Sequence, residues 1–271
     1  MKIALFTSNQ PRHVFFAERL IAMGHEVHMV QEVSTLTPGK KKGIFRRSET
    51  MARYFERVIA AERSLFGQPR DVANAASVTR VPMGEISGEP LKTFETALKC
   101  DVFILFGCSY IKGDLAQALI LRNAVNIHMG ISPFFRGNSC NFWALYDDYP
   151  EYVGATIHRL DRGLDSGPIL FYAFPDEIAD DPFVYTMSAV KAVFDKILSV
   201  LQSGEFNSLN GIAQDKTKEI RYSRSRDFTD EIAQAFLERP FNTKDIEALC
   251  QARGQNFIPA DLMKLQADPQ R

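Results

Sequence analysis

Lys2-Ile-Ala-Leu-Phe-Thr7, then Ser8-Asn-Gln-Pro11, Arg12 through Met23, Gly24, and finally Glu26-Val-His-Met-Val-Gln31 make up the stretch whose periodicity decides the fold. The first run is short and almost wholly apolar, which suits a strand buried on both faces. Ser8 to Pro11 carries helix-start chemistry, and from Arg12 the apolar residues recur at helical spacing until Gly24 stops the pattern. A second strand-like run follows at once. Strand, helix and strand in that order imply a crossover between parallel strands and the α/β class. The turn Thr7-Ser-Asn-Gln-Pro11 lacks the Gly-x-Gly-x-x-Gly spacing that lets a dinucleotide pyrophosphate approach the backbone. That argues against a nicotinamide or flavin enzyme despite the Rossmann-like pattern.

Outward from this opening, Asp101-Val-Phe-Ile-Leu-Phe-Gly107 reads as a central strand that ends in the turn Gly107-Cys-Ser-Tyr-Ile111, before a helix over 114–121. Ala124-Val-Asn-Ile-His128 reads as the end of another strand, and Asn126 and His128, two apart, share one face of it. Ser132-Pro133 and Arg136-Gly137 then break the chain into a loop. Two further apolar runs, 153–160 and 168–172, flank a tight turn, Leu164-Asp-Ser-Gly-Pro168, that carries Asp165. Helices are expected over 49–66, 90–99 and 181–201, and a short strand over 77–81. The expected architecture is a mostly parallel twisted sheet with helices on both faces over residues 1–204. Residues 205–271 form a small, mostly helical annex with helices near 229–237 and 243–253.

The 271 residues are 45% hydrophobic and 24% charged, with a net charge of −1, ordinary values for a globular protein. Near-neutral charge argues against bulk affinity for nucleic acid or an anionic membrane. The annex, with ten Lys/Arg and eleven Asp/Glu, is not a basic RNA-binding domain. Cys100, Cys108, Cys140 and Cys250 are widely spaced and imply neither a disulfide framework nor a zinc site, so no metal is expected. The first apolar run is too short for a signal peptide, and no run approaches the ~20 residues that span a bilayer. A cytoplasmic location is therefore expected. One dense basic stretch, Thr37 to Arg47, contains Lys40, Lys41, Lys42, Arg46 and Arg47. Such runs are most often solvated loops; the sharper reading is a flap whose cations pair with substrate phosphates.

Asn126, His128 and Asp165 together bring an amide, an imidazole and a carboxylate to a strand end. An amide NH2 and a protonated imidazole can both donate to an oxyanion, and a carboxylate can hold the imidazole in its charged form. Those groups suit acyl transfer to an amine, for which no protein nucleophile is needed. Each residue alone is more often a cap or a turn residue. His13, His25 and His28 have no motif partner and read as structural or surface residues, and His158, facing along its strand, reads as structural.

With Asn126-x-His128, Ser132-Pro-Phe-Phe-Arg-Gly137 and Leu164-Asp-Ser-Gly167 in that order, the chain resembles the folate-dependent formyltransferases. That group includes glycinamide ribonucleotide, methionyl-tRNA and amino-sugar N-formyltransferases. Gly130 stands where the family often has Ser, and Phe135 where it often has Tyr. The resemblance implies 10-formyltetrahydrofolate as formyl donor, held by Gly107, Ser109, Tyr110 and Ile111 and by the loop at Asp161. It implies that Asn126 and His128 stabilise the oxyanion while Asp165 orients His128 and raises its pKa. Lys40, Lys41, Lys42 and Arg136 are candidates to bind the acceptor. The neutral annex favours a nucleotide-linked amino sugar as that acceptor, with glycinamide ribonucleotide or methionyl-tRNA as alternatives and a homodimer as the assembly to test. A module of another class, binding folate or nucleotide without turnover, would also carry this fold; the intact trio argues against it.

Overall fold

A computed structural model describes residues 1–33, 48–259 and 262. The basic stretch with Lys40, Lys41 and Lys42 lies outside the described residues. The opening forms β1 (Lys2–Ser8), α1 (Pro11–Ala22) and β2 (Glu26–Val33), followed by α2 (Glu49–Phe66) and β3 (Ser77–Pro82). Ser48 starts α2 by accepting from the Met51 backbone N–H. Then come β4 (Val102–Phe106), α3 (Gly113–Ile120), β5 (Val125–His128), β6 (Phe135–Gly137) and α4 (Cys140–Tyr146). β7 (Ala155–Arg159) and β8 (Ile169–Ala173) lead into α5 (Pro182–Ser203), and β9 (Arg221–Ser223), α6 (Asp230–Glu238) and α7 (Thr243–Arg253) complete the elements.

Seven strands make one sheet in the order β3-β2-β1-β4-β5-β7-β8. The first five are parallel; β7 and β8 join antiparallel. All five residues of β4 are buried, as an apolar strand covered on both faces requires. One face packs on α1 and α5, where the Phe16 and Phe194 rings stack with centroids 4.3 Å apart. The other face packs on α3 and on the segment over 90–99.

The expected helix over 90–99 is instead two short 3-10 turns, Leu91–Phe94 and Ala97–Lys99. The buried residues there are Phe94, Ala97 and Cys100, spaced by three, which eclipses on a 3-10 helix and drifts off one face of an α-helix. β9 pairs with β6 in a separate two-stranded ribbon, so residues after Gly204 return to the loop that follows β5.

Candidate active site

The parallel strands deliver their carboxyl ends to one side, where ligands of open α/β sheets bind. A cleft of about 460 Å³ opens there, lined by β4 and its turn (Leu105 to Ile111), by Asn126 to Met129, and by Gly163 to Asp165. Polar groups sit on its floor and apolar walls rise around them, a composition typical of small-molecule sites.

The floor holds Asn126, His128 and Asp165. His128 Nδ1 lies 3.3 Å from Asp165 Oδ2, and His128 Nε2 lies 3.2 Å from the Phe135 carbonyl oxygen. Asn126 Nδ2 lies 3.1 Å from Asp165 Oδ1. Burial, the largest single effect, pushes the His128 pKa down, but the Asp165 carboxylate and Cys140 together outweigh it and hold the pKa well above the ordinary histidine value. Burial likewise works against the Asp165 carboxylate, and the facing histidines outweigh it, so its pKa falls well below the usual range. A charged imidazole against an ionised carboxylate is the arrangement that follows.

The chain holds this floor from several directions. Thr156, opposite His128 across the β5–β7 pair, donates its hydroxyl to the Gly130 carbonyl and accepts from the Ser132 N–H. The Tyr172 hydroxyl donates to the Ser132 carbonyl. Asp165 itself sits at φ 48°, uncommon for a residue with a side chain. Gln214, from beyond α5, donates to the carbonyls of Asp165 and Gly167 at 2.9 and 2.8 Å.

The residues singled out for the formyl donor fall into two groups. Gly107, Ser109, Tyr110 and Ile111 line the cleft. Gly107 has φ 65°, and a Cβ there would come within 2.5 Å of His13 Nε2. The Ser109 N–H is taken by the buried Glu32 carboxylate, which also accepts from the Gly84 N–H and so fixes the turn. The Tyr110 hydroxyl donates to the Arg162 carbonyl, tying the turn to the opposite loop. Asp161 does not border the cleft; its carboxylate caps that loop by accepting from the Gly163 N–H and the Ser166 hydroxyl. Arg136 directs its guanidinium to Glu219 and to the Leu164 carbonyl.

The sequence reading gave three contributors no part in the site. His13 borders the cleft, with its pKa lowered by burial and by Arg12. His158 touches Asn126 across the β5–β7 pair, and Gln214 holds the Asp165 turn. Strand pairing was the signal for His158, because Asn126 and His158 are direct partners in the antiparallel register.

The formyl transferase family profile matches residues 1–199, and the chain belongs to that family. A methionyl-tRNA formyltransferase of a Thermotoga species is 29% identical over 161 residues, covering 58% of this chain and 50% of that protein. A dTDP-4-amino-4,6-dideoxyglucose formyltransferase of Mycobacterium bovis is 32% identical over 99 residues, covering 34% of this chain and 40% of that protein. The chain thus spans half the length or less of these curated relatives. A sugar N-formyltransferase of a Shewanella species shares the fold, with a TM-score of 0.53 and 16% identity over 93% of this chain and 87% of that one. No helix among the described residues is long and apolar enough to cross a membrane.

Proposed function

We propose that this chain transfers a formyl group from 10-formyltetrahydrofolate to a primary amine, and that the amine belongs to a nucleotide-linked amino sugar. The observation that carries the chemistry is the buried His128–Asp165 pair at the cleft floor, 3.3 Å apart, with the His128 pKa held high. 10-Formyltetrahydrofolate supplies a formyl carbon on a weakly basic nitrogen. As the amine nitrogen bonds to that carbon, negative charge develops on the formyl oxygen. The charged His128 ring stabilises it through its Nε2–H, whose resting contact with the Phe135 carbonyl, at 3.2 Å, is long enough to be shared. The bond from the formyl carbon to the folate nitrogen then breaks, and that nitrogen takes the proton the amine gives up. Asp165 keeps the imidazole charged and oriented throughout.

For the acceptor, support comes from the ribbon beside the cleft. Tyr222, on β9, is 42% exposed and pairs in register with Arg136. The guanidinium carbons of Arg136 and Arg224 lie 5.8 and 5.7 Å from its ring centroid. An exposed ring gives a base a face to stack on, and the exposed Arg224 offers a phosphate a charge-assisted donor.

Incubating the protein with 10-formyltetrahydrofolate and a panel of amines tests both parts. The panel holds a nucleoside-diphosphate amino sugar, glycinamide ribonucleotide and methionyl-tRNA. Release of tetrahydrofolate with the amino sugar at the highest kcat/KM is expected. Preference for another acceptor overturns the substrate while leaving the chemistry, and no release with any amine overturns the chemistry in favour of a binding module.

A further inference from the structure

Arg136 sits in the middle of β6, opposite Tyr222 of β9, and its side chain is only 12% exposed. One nitrogen of its guanidinium donates to the Glu219 carboxylate at 3.0 Å and another to the Leu164 carbonyl oxygen at 2.7 Å. Glu219 is held in turn, because the N–H groups of the two residues after it, Ile220 and Arg221, both donate to the Phe134 carbonyl. The guanidinium therefore reaches Leu164 as a fixed planar fork.

The Leu164 carbonyl lies in the same rigid peptide plane as the Asp165 N–H. Fixing that plane fixes φ of Asp165, and fixing the plane that holds the Asp165 carbonyl fixes ψ. Gln214 takes the second plane, donating to the Asp165 carbonyl oxygen at 2.9 Å. Both planes that flank Asp165 are thus anchored by side chains from outside its turn. Asp165 needs such anchors, since its φ of 48° is a left-handed conformation that an Asp commonly adopts by bonding its own side chain to nearby backbone. Here the carboxylate faces Asn126, His128 and His158 instead. Asp161, which accepts from the Gly163 N–H and the Ser166 hydroxyl, touches neither plane.

We propose that Arg136 is a positioning residue for the His128–Asp165 pair. Through the Leu164 carbonyl it sets φ of Asp165 while Gln214 sets ψ, and together they aim the carboxylate at the imidazole. Glu219 holds the guanidinium to that carbonyl, so residues beyond Gly204 complete the site. The effect on turnover rests on the formyl-transfer reading; the geometry of the pair is a property of the resting protein.

The experiment combines an NMR titration of His128 in the resting full chain with kinetics. Asp165 on its turn and Cys140 on α4 both raise the His128 pKa, and Asp165 also faces His158 of β7 at 3.6 Å. Arg136→Met should free the turn, draw Asp165 away from the ring and lower the His128 pKa. The sign discriminates, because loss of a nearby positive charge would by itself raise a histidine's pKa. Arg136→Lys keeps the charge, but one ammonium cannot reproduce the fork between Glu219 and Leu164, so a smaller fall is expected. That variant decides the matter if Arg136→Met does not fold. With the best amine of the panel, Arg136→Met should lower kcat roughly tenfold, the effect of one lost hydrogen bond from a charged group, and move the basic limb of kcat to lower pH. Gln214→Ala should cost less in the Arg136→Met background than alone, since a turn freed at one plane is already loose. A His128 pKa that stays or rises in the folded Arg136 variants overturns the proposal. So does a raised KM for the amine with kcat and its pH profile unchanged, the mark of an arginine that binds substrate. Should no amine be formylated, the formyl-transfer reading fails and the titration still decides the role of Arg136.

Discussion

At the scale of single residues, the site turns on His128, where two large effects oppose each other. Burial disfavours the charged ring, and the Asp165 carboxylate 3.3 Å away and Cys140 together outweigh it. Asp165→Asn removes the carboxylate's part in raising the His128 pKa, so that pKa should fall. A step that needs the charged imidazole is active below that pKa and fades as pH rises through it. The basic limb of the kcat profile should accordingly move to lower pH in Asp165→Asn, with kcat at neutral pH reduced. A limb at the same pH in variant and wild type would show that the carboxylate does not set the charge of the ring. Asn126, His128 and Asp165 were legible in the sequence because strand alternation and a Gly-Pro turn are local signals. His158 was not, because its partner is chosen by the register between two strands 32 residues apart, and no local pattern encodes that register.

At the scale of elements, the β6–β9 ribbon and the Asp165 turn carry constraints that a sequence pattern hides. Gly137 ends β6 at φ 91°, and a Cβ there would lie 2.0 Å from the Ser223 carbonyl oxygen. Gly137→Ala therefore meets both an unfavourable backbone conformation and a backbone clash, and the atoms it meets are all Ser223 backbone, with no flexible side chain that could move aside. A loss of about 2 kcal/mol or more in urea unfolding is expected; a loss below ~0.5 kcal/mol would show that the two strands part easily. Gln214 acts differently. Its amide hydrogens fasten two carbonyls of the turn that presents Asp165, and its side-chain oxygen is buried without a hydrogen-bond partner among the described residues. Gln214→Ala should lower kcat severalfold while costing only the ~1 kcal/mol of a hydrogen bond in stability. Unchanged kcat would mean the turn holds itself. Gly137 and Asp165 were visible as turn residues, but what crowds the one and braces the other arrives from β9 and from residue 214. Sequence distance conceals both. The 90–99 segment was misread for a different reason: a spacing of three between buried residues resembles half of a helical stripe when the window is only ten residues long.

At the scale of the whole molecule, the question is how the annex is joined to the sheet domain. Its helices were expected near 229–237 and 243–253, close to where α6 and α7 lie; their docking surface was not legible, because it is assembled from three separate helices. Phe236 of α6 is buried against Phe142 of α4, Phe183 of α5 and Tyr54 of α2, with ring centroids 4.7, 5.5 and 6.3 Å away. Phe228 packs on Phe142, Tyr54 and Trp143 at 4.9, 4.9 and 6.5 Å. Arg221 of β9 lies over the Trp143 ring with its guanidinium carbon 3.8 Å from the centroid. These rings belong to one continuous apolar cluster that also contains Ile131 of the loop following β5 and Phe135 of β6. Removing a ring from its centre should therefore loosen annex and site loop together. Phe236→Ala is expected to cost ~3–5 kcal/mol, the usual range for a deleted buried aromatic. The loss should appear as one transition at lower urea. Trp143, the only tryptophan, reports the annex interface by fluorescence, while far-ultraviolet circular dichroism reports the whole chain. Coincident midpoints by the two probes are the signature of a single cooperative unit. If the tryptophan transition precedes the dichroism transition in the variant, the annex unfolds on its own and its contacts with the cleft are an accessory rather than part of the fold.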